Sequence, residues 1–148
     1  MRTYQSTLLG GLLLLGSFAV SAQEINASQV PDPVQQAFKA KFFKATDIEW
    51  KKEGDQYKIS FDIGNDDHDA FYNASGKLVS HSYEILKSQL PASIRAAVKK
   101  EFPNHRIDDV DKIERDGAVT YKVDLDGRPD MKSVFGADGK LISKVEDD

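Results

Sequence analysis

Along this chain the spacing of apolar positions changes twice, in the same order each time. Val34, Ala37, Phe38 and Phe42 recur at i, i+3, i+4 and i+8, and Ile94, Ala97, Val98 and Phe102 repeat that spacing at a constant offset of 60. Such spacing puts each set on one face of a helix. Val30-Pro31 and Leu90-Pro91 stand at the same place before each helix. Asp32 followed by Pro33 predicts an N-cap and a first helical residue, because Asp accepts orphan backbone N–H groups and Pro has none to lose. Lysines 39, 41 and 44, and 99 and 100, fall near the C-terminal ends, where the helix dipole favours cations.

After each helix the period falls to two. Ile48, Trp50 and Lys52 alternate with charged residues, Gly54-Asp55 predicts a turn, and Tyr57, Ile59, Phe61 and Ile63 alternate with Lys58, Ser60 and Asp62. That is a hairpin with one apolar face. The second unit answers with Ile107, Val110 and Ile113, a turn at Asp116-Gly117, and Tyr121, Val123 and Leu125 between Lys122 and Asp124. A further hairpin closes each unit, Ala70–Asn73 with Leu78–Tyr83 and Met131–Phe135 with Leu141–Val145, both turning just before a Gly-Lys-Leu at 76–78 or 139–141.

The predicted fold class is therefore α+β: a tandem repeat of a helix plus four antiparallel strands, over about 29–83 and 89–145, with Gln23 to Gln29 as a short leader. Glu84 to Gln89 lacks the composition of a flexible linker, so the halves are expected to share one sheet in a two-layer, helices-on-sheet domain. Helices on one side leave Lys58, Ser60, Asp62, Lys122 and Asp124 on an open, wet side available to a partner. Tyr72, Tyr83 and Phe71 are candidates to join a contact patch there. Trp50 is favoured as a core residue, since it aligns with Val110.

Residues 1–22 change the picture of where this domain works. Arg2, an apolar run from Leu8 to Val20 and the small residues before Gln23 match a secretory signal cut after Ala22. The run is too short to span a bilayer, which takes roughly 20 residues. A mature chain of 148 − 22 = 126 residues is one ordinary domain, periplasmic or secreted, with no membrane insertion after cleavage. Its charge is 19 − 24 = −5 once Arg2 is removed, which gives no general attraction for nucleic acid or anionic lipid. Zero cysteines exclude disulfides, thiolate nucleophiles and thiolate metal sites.

The Val/Leu-Pro openings, the Ala-Phe…Phe and Ala-Val…Phe helix faces, Trp50, the strand starts at Tyr57 and Tyr121, and the paired Gly-Lys-Leu turns resemble the β-lactamase-inhibitor-like, PepSY-like proteins. The resemblance covers roughly residues 29–145. It implies tandem α/β units forming one long antiparallel sheet, and a non-catalytic binding or inhibitory module of the cell envelope. By the same analogy the partner is a protease or β-lactamase-like enzyme, met through the sheet face and loops.

Candidate chemistry is sparse. His68, His81 and His105 show no i, i+4 pair and no His-Glu-x-x-His, so zinc has no motif. Asp62, Asp66, Asp67 and Asp69 form the densest oxygen cluster, which supports an alternative reading as a small-ligand or calcium-responsive protein using loop 62–69. A solvated hairpin turn uses the same residue types. Asp124-Leu125-Asp126-Gly127 has the middle of a calcium loop but Phe135 in place of the closing Glu. Nucleophile motifs are missing, and Gly136–Leu141 lacks the spacing of a phosphate loop. No enzyme activity and no cofactor are expected.

Overall fold

The computed structural model describes residues 22–147, so all of the predicted signal peptide except Ala22 lies outside the described residues. The strands are β1 (Gln23–Ile25), β2 (Thr46–Glu53), β3 (Gln56–Ile63), β4 (Asp66–Asn73), β5 (Leu78–Glu84), β6 (Arg106–Arg115), β7 (Ala118–Asp126), β8 (Asp130–Gly136) and β9 (Leu141–Asp147). Helix α1 (Asp32–Lys41) precedes β2 and α2 (Ala92–Glu101) precedes β6. All nine strands form one sheet in sequence order, each antiparallel to the next. The two halves meet edge to edge where β5 pairs with β6, from Ser80 opposite Arg115 to Glu84 opposite Asp111.

Two separate cores sit between helices and sheet. Val34, Phe38 and Phe42 of the first repeat pack on Trp50, Tyr57, Ile59, Phe61, Ala70 and Tyr72. Ile94, Val98 and Phe102 of the second pack on Val110, Val123, Leu125 and Phe135. Each fully buried side chain of this size contributes roughly 1.5–3 kcal/mol of burial. Phe38 is the hub of the first core, with ring centres 5.3 Å from Trp50 and 5.0 Å from Phe61, both edge-to-face.

The repeated Gly-Lys-Leu turns have a mechanical cause. Gly76 and Gly139 have φ of +87° and +86°, and a Cβ at either would stand 2.5 Å or 2.7 Å from the carbonyl oxygen of Pro33 or Ser93. Each closing turn is thus tucked against the first turn of its own repeat's helix, where only glycine fits. Asn73 braces the first of them, its Oδ1 accepting from Ser75 N at 3.1 Å and Lys77 N at 3.0 Å.

Several expectations are corrected. The segment that opens at Gln23 is not a bare leader: Gln23–Ile25 pairs with Lys52–Trp50 as a ninth, edge strand. Asp32 is the first helical residue rather than the N-cap, which is Pro31, so it acts through the helix dipole and not through a side-chain cap. Ile48 does not share the face of Trp50, because a register shift between Thr46 and Glu49, with Asp47 at φ 51°, leaves it 40% exposed. Ile113 leaves the apolar face for the same reason. A matching shift between Ile107 and Val110 turns Val110 inward, and alternation then puts Ile113 on the side away from α2, opposite Ser82.

Candidate functional site: the open face of the sheet

Because side chains alternate along each strand, the register assigns every position to a face. Glu49, Ser60, Asp69, Ser82 and Ile113 form one cross-strand row on the side without helices. Lys51, Lys58, Phe71, Ser80 and Arg115 form the adjacent row. Lys122 and Asp124 lie on the same side, opposite Val134 and Lys132. Lys58, Ser60, Asp62, Lys122 and Asp124 are therefore brought to one surface.

Tyr72 and Tyr83 are not. Tyr72 is 1% exposed inside the first core, where burial pushes its phenol up to about 12. Tyr83 pairs with His68 on the helix side. Of the three aromatics only Phe71 reaches the open face, with Lys58 Nζ 5.8 Å from its ring centre.

The proposed ligand set Asp62, Asp66, Asp67 and Asp69 is also divided. The acidic stretch is not a loop, because β3 and β4 meet through a two-residue turn at Gly64-Asn65, with Gly64 at φ +64°. Asp62 and Asp67 are direct cross-strand partners on the open face, whereas Asp66 pairs with Ile63 on the opposite one. Asp69 is engaged by Ser60, whose Oγ donates to it at 2.6 Å, and by Lys58 Nζ at 3.6 Å. Among the described residues no group of three or more His, Cys, Asp or Glu side chains could hold a metal ion.

What the face does contain is a depression of about 520 Å³ at the β3–β4 turn end. Seven carboxylates line it (Asp47, Glu49, Asp62, Asp67, Asp69, Glu84 and Asp111), and its lining includes no Lys or Arg. Partial desolvation, then the carboxylates of Asp67 and Asp47, raise the Asp62 pKa above the ordinary range. Desolvation followed by repulsion from Asp109 and Asp111 does the same to Glu84. At the margin, Lys122 Nζ lies 3.1 Å from Asp111 and 3.6 Å from Asp124. Burial opposes the Lys122 charge, but these two carboxylates prevail and raise its pKa.

On the helix side lies an arrangement that motif spacing did not show. His68 Nδ1 and His81 Nε2 are 2.9 Å apart, the ring centres are 5.2 Å apart and the planes differ by 13°. The rings therefore lie end to end and share one N–H···N hydrogen bond rather than stacking face to face. Phe42 and Phe61 enclose them with Tyr83, and Lys112 Nζ stands 5.9 Å from the Tyr83 ring centre. Desolvation, then the charge of its partner, drive His81 down to about 4, and desolvation lowers His68 despite four nearby aspartates. Strand alternation alone could have put both rings on the core side, but the bulge between Phe71 and Tyr72 hid their register.

Two helices on one side of a nine-stranded antiparallel meander, with the other side bare and charged, define an α+β helix-on-sheet protein of the β-lactamase-inhibitor-protein-like fold. The chain belongs to the family described as "Putative beta-lactamase-inhibitor-like, PepSY-like", whose model matches residues 19–80 and again 65–143. Solved structures share this fold. A DUF2874 family protein from Bacteroides uniformis superposes with a TM-score of 0.71 at 15% identity, over 79% of this chain and 89% of its own. A protein described as periplasmic from Bacteroides eggerthii gives 0.72 at 17% identity, over 79% and 88%. A BLIP-like protein from Bacteroides fragilis gives 0.67 at 19% identity, over 79% and 86%. No curated protein matches the chain.

Proposed function

We propose that the protein is an exported, non-catalytic binding module of the cell envelope, acting in the periplasm as one unit after removal of residues 1–22. Its open sheet face holds a protein partner that presents a cation-rich surface. The carrying observation is the depression lined by seven carboxylates and no Lys or Arg, two of them, Asp62 and Glu84, with raised pKa values. Bringing Lys or Arg side chains of a partner against it removes that repulsion, so the gain comes on binding and is specific for the sign of charge. The family's inhibitor-like description and the periplasmic description of the Bacteroides eggerthii neighbour support an envelope enzyme, a protease or β-lactamase among them, as the partner. Among the described residues no helix is long and apolar enough to cross a membrane.

Affinity capture from envelope extract tests the reading, with wild type and an Asp62→Asn, Asp67→Asn, Glu84→Gln variant compared at low and physiological salt. A protein held by the wild type, weakened by salt and lost from the variant supports it. Equal capture by both proteins refutes it.

A further inference from the structure

The two repeats serve as controls for one another, because positions that the fold needs carry like residues in both. Phe42 and Phe102, and Gln29 and Gln89, correspond at the offset of 60, and both Gln side chains accept from a backbone N–H three residues back, at 2.9 and 2.8 Å. One region departs from that rule. At the C-terminal end of α2 lies a groove of about 400 Å³, on the helix side and sharing no lining residue with the acidic depression. Its rim carries Lys87, Arg95, Lys99 and Arg106, and no carboxylate lines it. The first repeat has Ala27, Gln35, Lys39 and Thr46 at those four positions. Three of the four cations are thus additions that the fold does without, on a chain whose net charge is −4.

The groove's chemistry is mixed. Phe102 and Val98 form its floor, and the partly buried Ile107 stands where the first repeat has Asp47. Leu86, 70% exposed, immediately precedes Lys87 and replaces Asn26. Gln35 spends its amide on the carbonyls of Ala27 and Val30, at 2.7 and 3.0 Å, whereas Arg95 makes only a 3.5 Å contact to Ser88 O and keeps most of its guanidinium N–H groups for something else. Arg106 is paired with Asp126 at 2.7 Å, and Lys87 and Lys99 have no ion-pair partner among the described residues. An apolar floor asks for an apolar tail, and a rim on which Lys87, Arg95 and Lys99 form no ion pair among the described residues asks for an anionic head.

We propose that this groove binds a long-chain carboxylate, with the acyl chain along Phe102 and Ile107 and the head group between Arg95 and Lys99. Titrations of octanoate, decanoate, dodecanoate and dodecanol into the protein, below micelle formation and followed by calorimetry, test it. The expected result is saturable one-site binding that tightens by about fourfold per added methylene until the groove is filled. Dodecanol binds at least tenfold more weakly than dodecanoate. Arg95→Gln with Lys99→Gln costs dodecanoate at least tenfold and leaves dodecanol unchanged, while Lys39→Gln in the first repeat changes neither. Equal affinity for acid and alcohol, or an unaffected double variant, would show that the cations only cover apolar surface with their stems, and would overturn the proposal. So would absence of dodecanoate binding, including the case in which the protein instead sediments with phosphatidylglycerol vesicles.

Discussion

Acidification from pH 7 to pH 4 should cost this protein stability through His81, by an amount the structure sets. His81 is 8% exposed and its Nε2 faces His68 Nδ1 at 2.9 Å. With both rings neutral, one donates and the other accepts. A single added proton on an outer nitrogen still leaves that bond intact, but two would set N–H against N–H. Desolvation is the largest obstacle to a proton on His81, the charge of His68 comes next, and Lys41 and Lys112 add to both, while Glu114 alone favours the cation. In the unfolded chain the imidazole protonates near its usual 6.5, in the native state only near 4. Between those values the unfolded state holds more protons, so stability is complete above pH 6.5 and drains away as pH falls toward 4. The difference of about 2.5 pH units corresponds to roughly 3 kcal/mol. Trp50, the one tryptophan, is buried in the core and reports unfolding, so urea melts at pH 7, 5.5 and 4 read the effect by fluorescence. His81→Gln keeps a hydrogen-bonding partner for His68 and removes the titration. Wild type should lose about 3 kcal/mol more than this variant across the window, carboxylate titration being common to both. Parallel curves would refute the assignment of a depressed pKa to this pair.

Other consequences are as direct. Gly76→Ala must abandon a φ of +87° or push its Cβ into the carbonyl of Pro33, and should cost about 2 kcal/mol or more, measured as a lower urea midpoint with unchanged m. Phe38→Ala empties the hub of the first core and should cost about 3–5 kcal/mol, with a shift in Trp50 emission because the edge-to-face contact is gone. Asp62→Asn removes a carboxylate held against Asp67 and Asp47, so the melting temperature should rise at neutral pH, and this gain should vanish in acid as those groups protonate. A lower melting temperature would show that the acidic depression is not repulsive in the free protein.

On the open face two of the seven carboxylates that line the depression already have a lysine partner, Asp69 with Lys58 and Asp111 with Lys122, while neither lysine lines the depression itself. The arrangement explains how a protein of modest net charge presents one strongly anionic patch.

How much of this was legible from residues alone follows from which interactions are local. Helix faces repeat at 3.6 and strand faces at 2 because backbone geometry imposes those periods. The pattern at Val34–Phe42, at Tyr57–Ile63 and in their counterparts therefore yields two helices and eight strands without any knowledge of packing. The Gly-Lys-Leu turns could be located for the same reason, though their tight contact with Pro33 and Ser93 could not. Tertiary structure decided whatever depended on register. A one-residue bulge reverses every side chain beyond it, which is how Ile48 left the core and Val110 entered it. A two-residue turn at Gly64-Asn65 set the register in which Asp66 and Asp67 fall on opposite faces, and the register of the next hairpin put His68 opposite Tyr83 and diagonal to His81. Composition counted the carboxylates, but only the pairing of distant strands could gather seven of them around one depression.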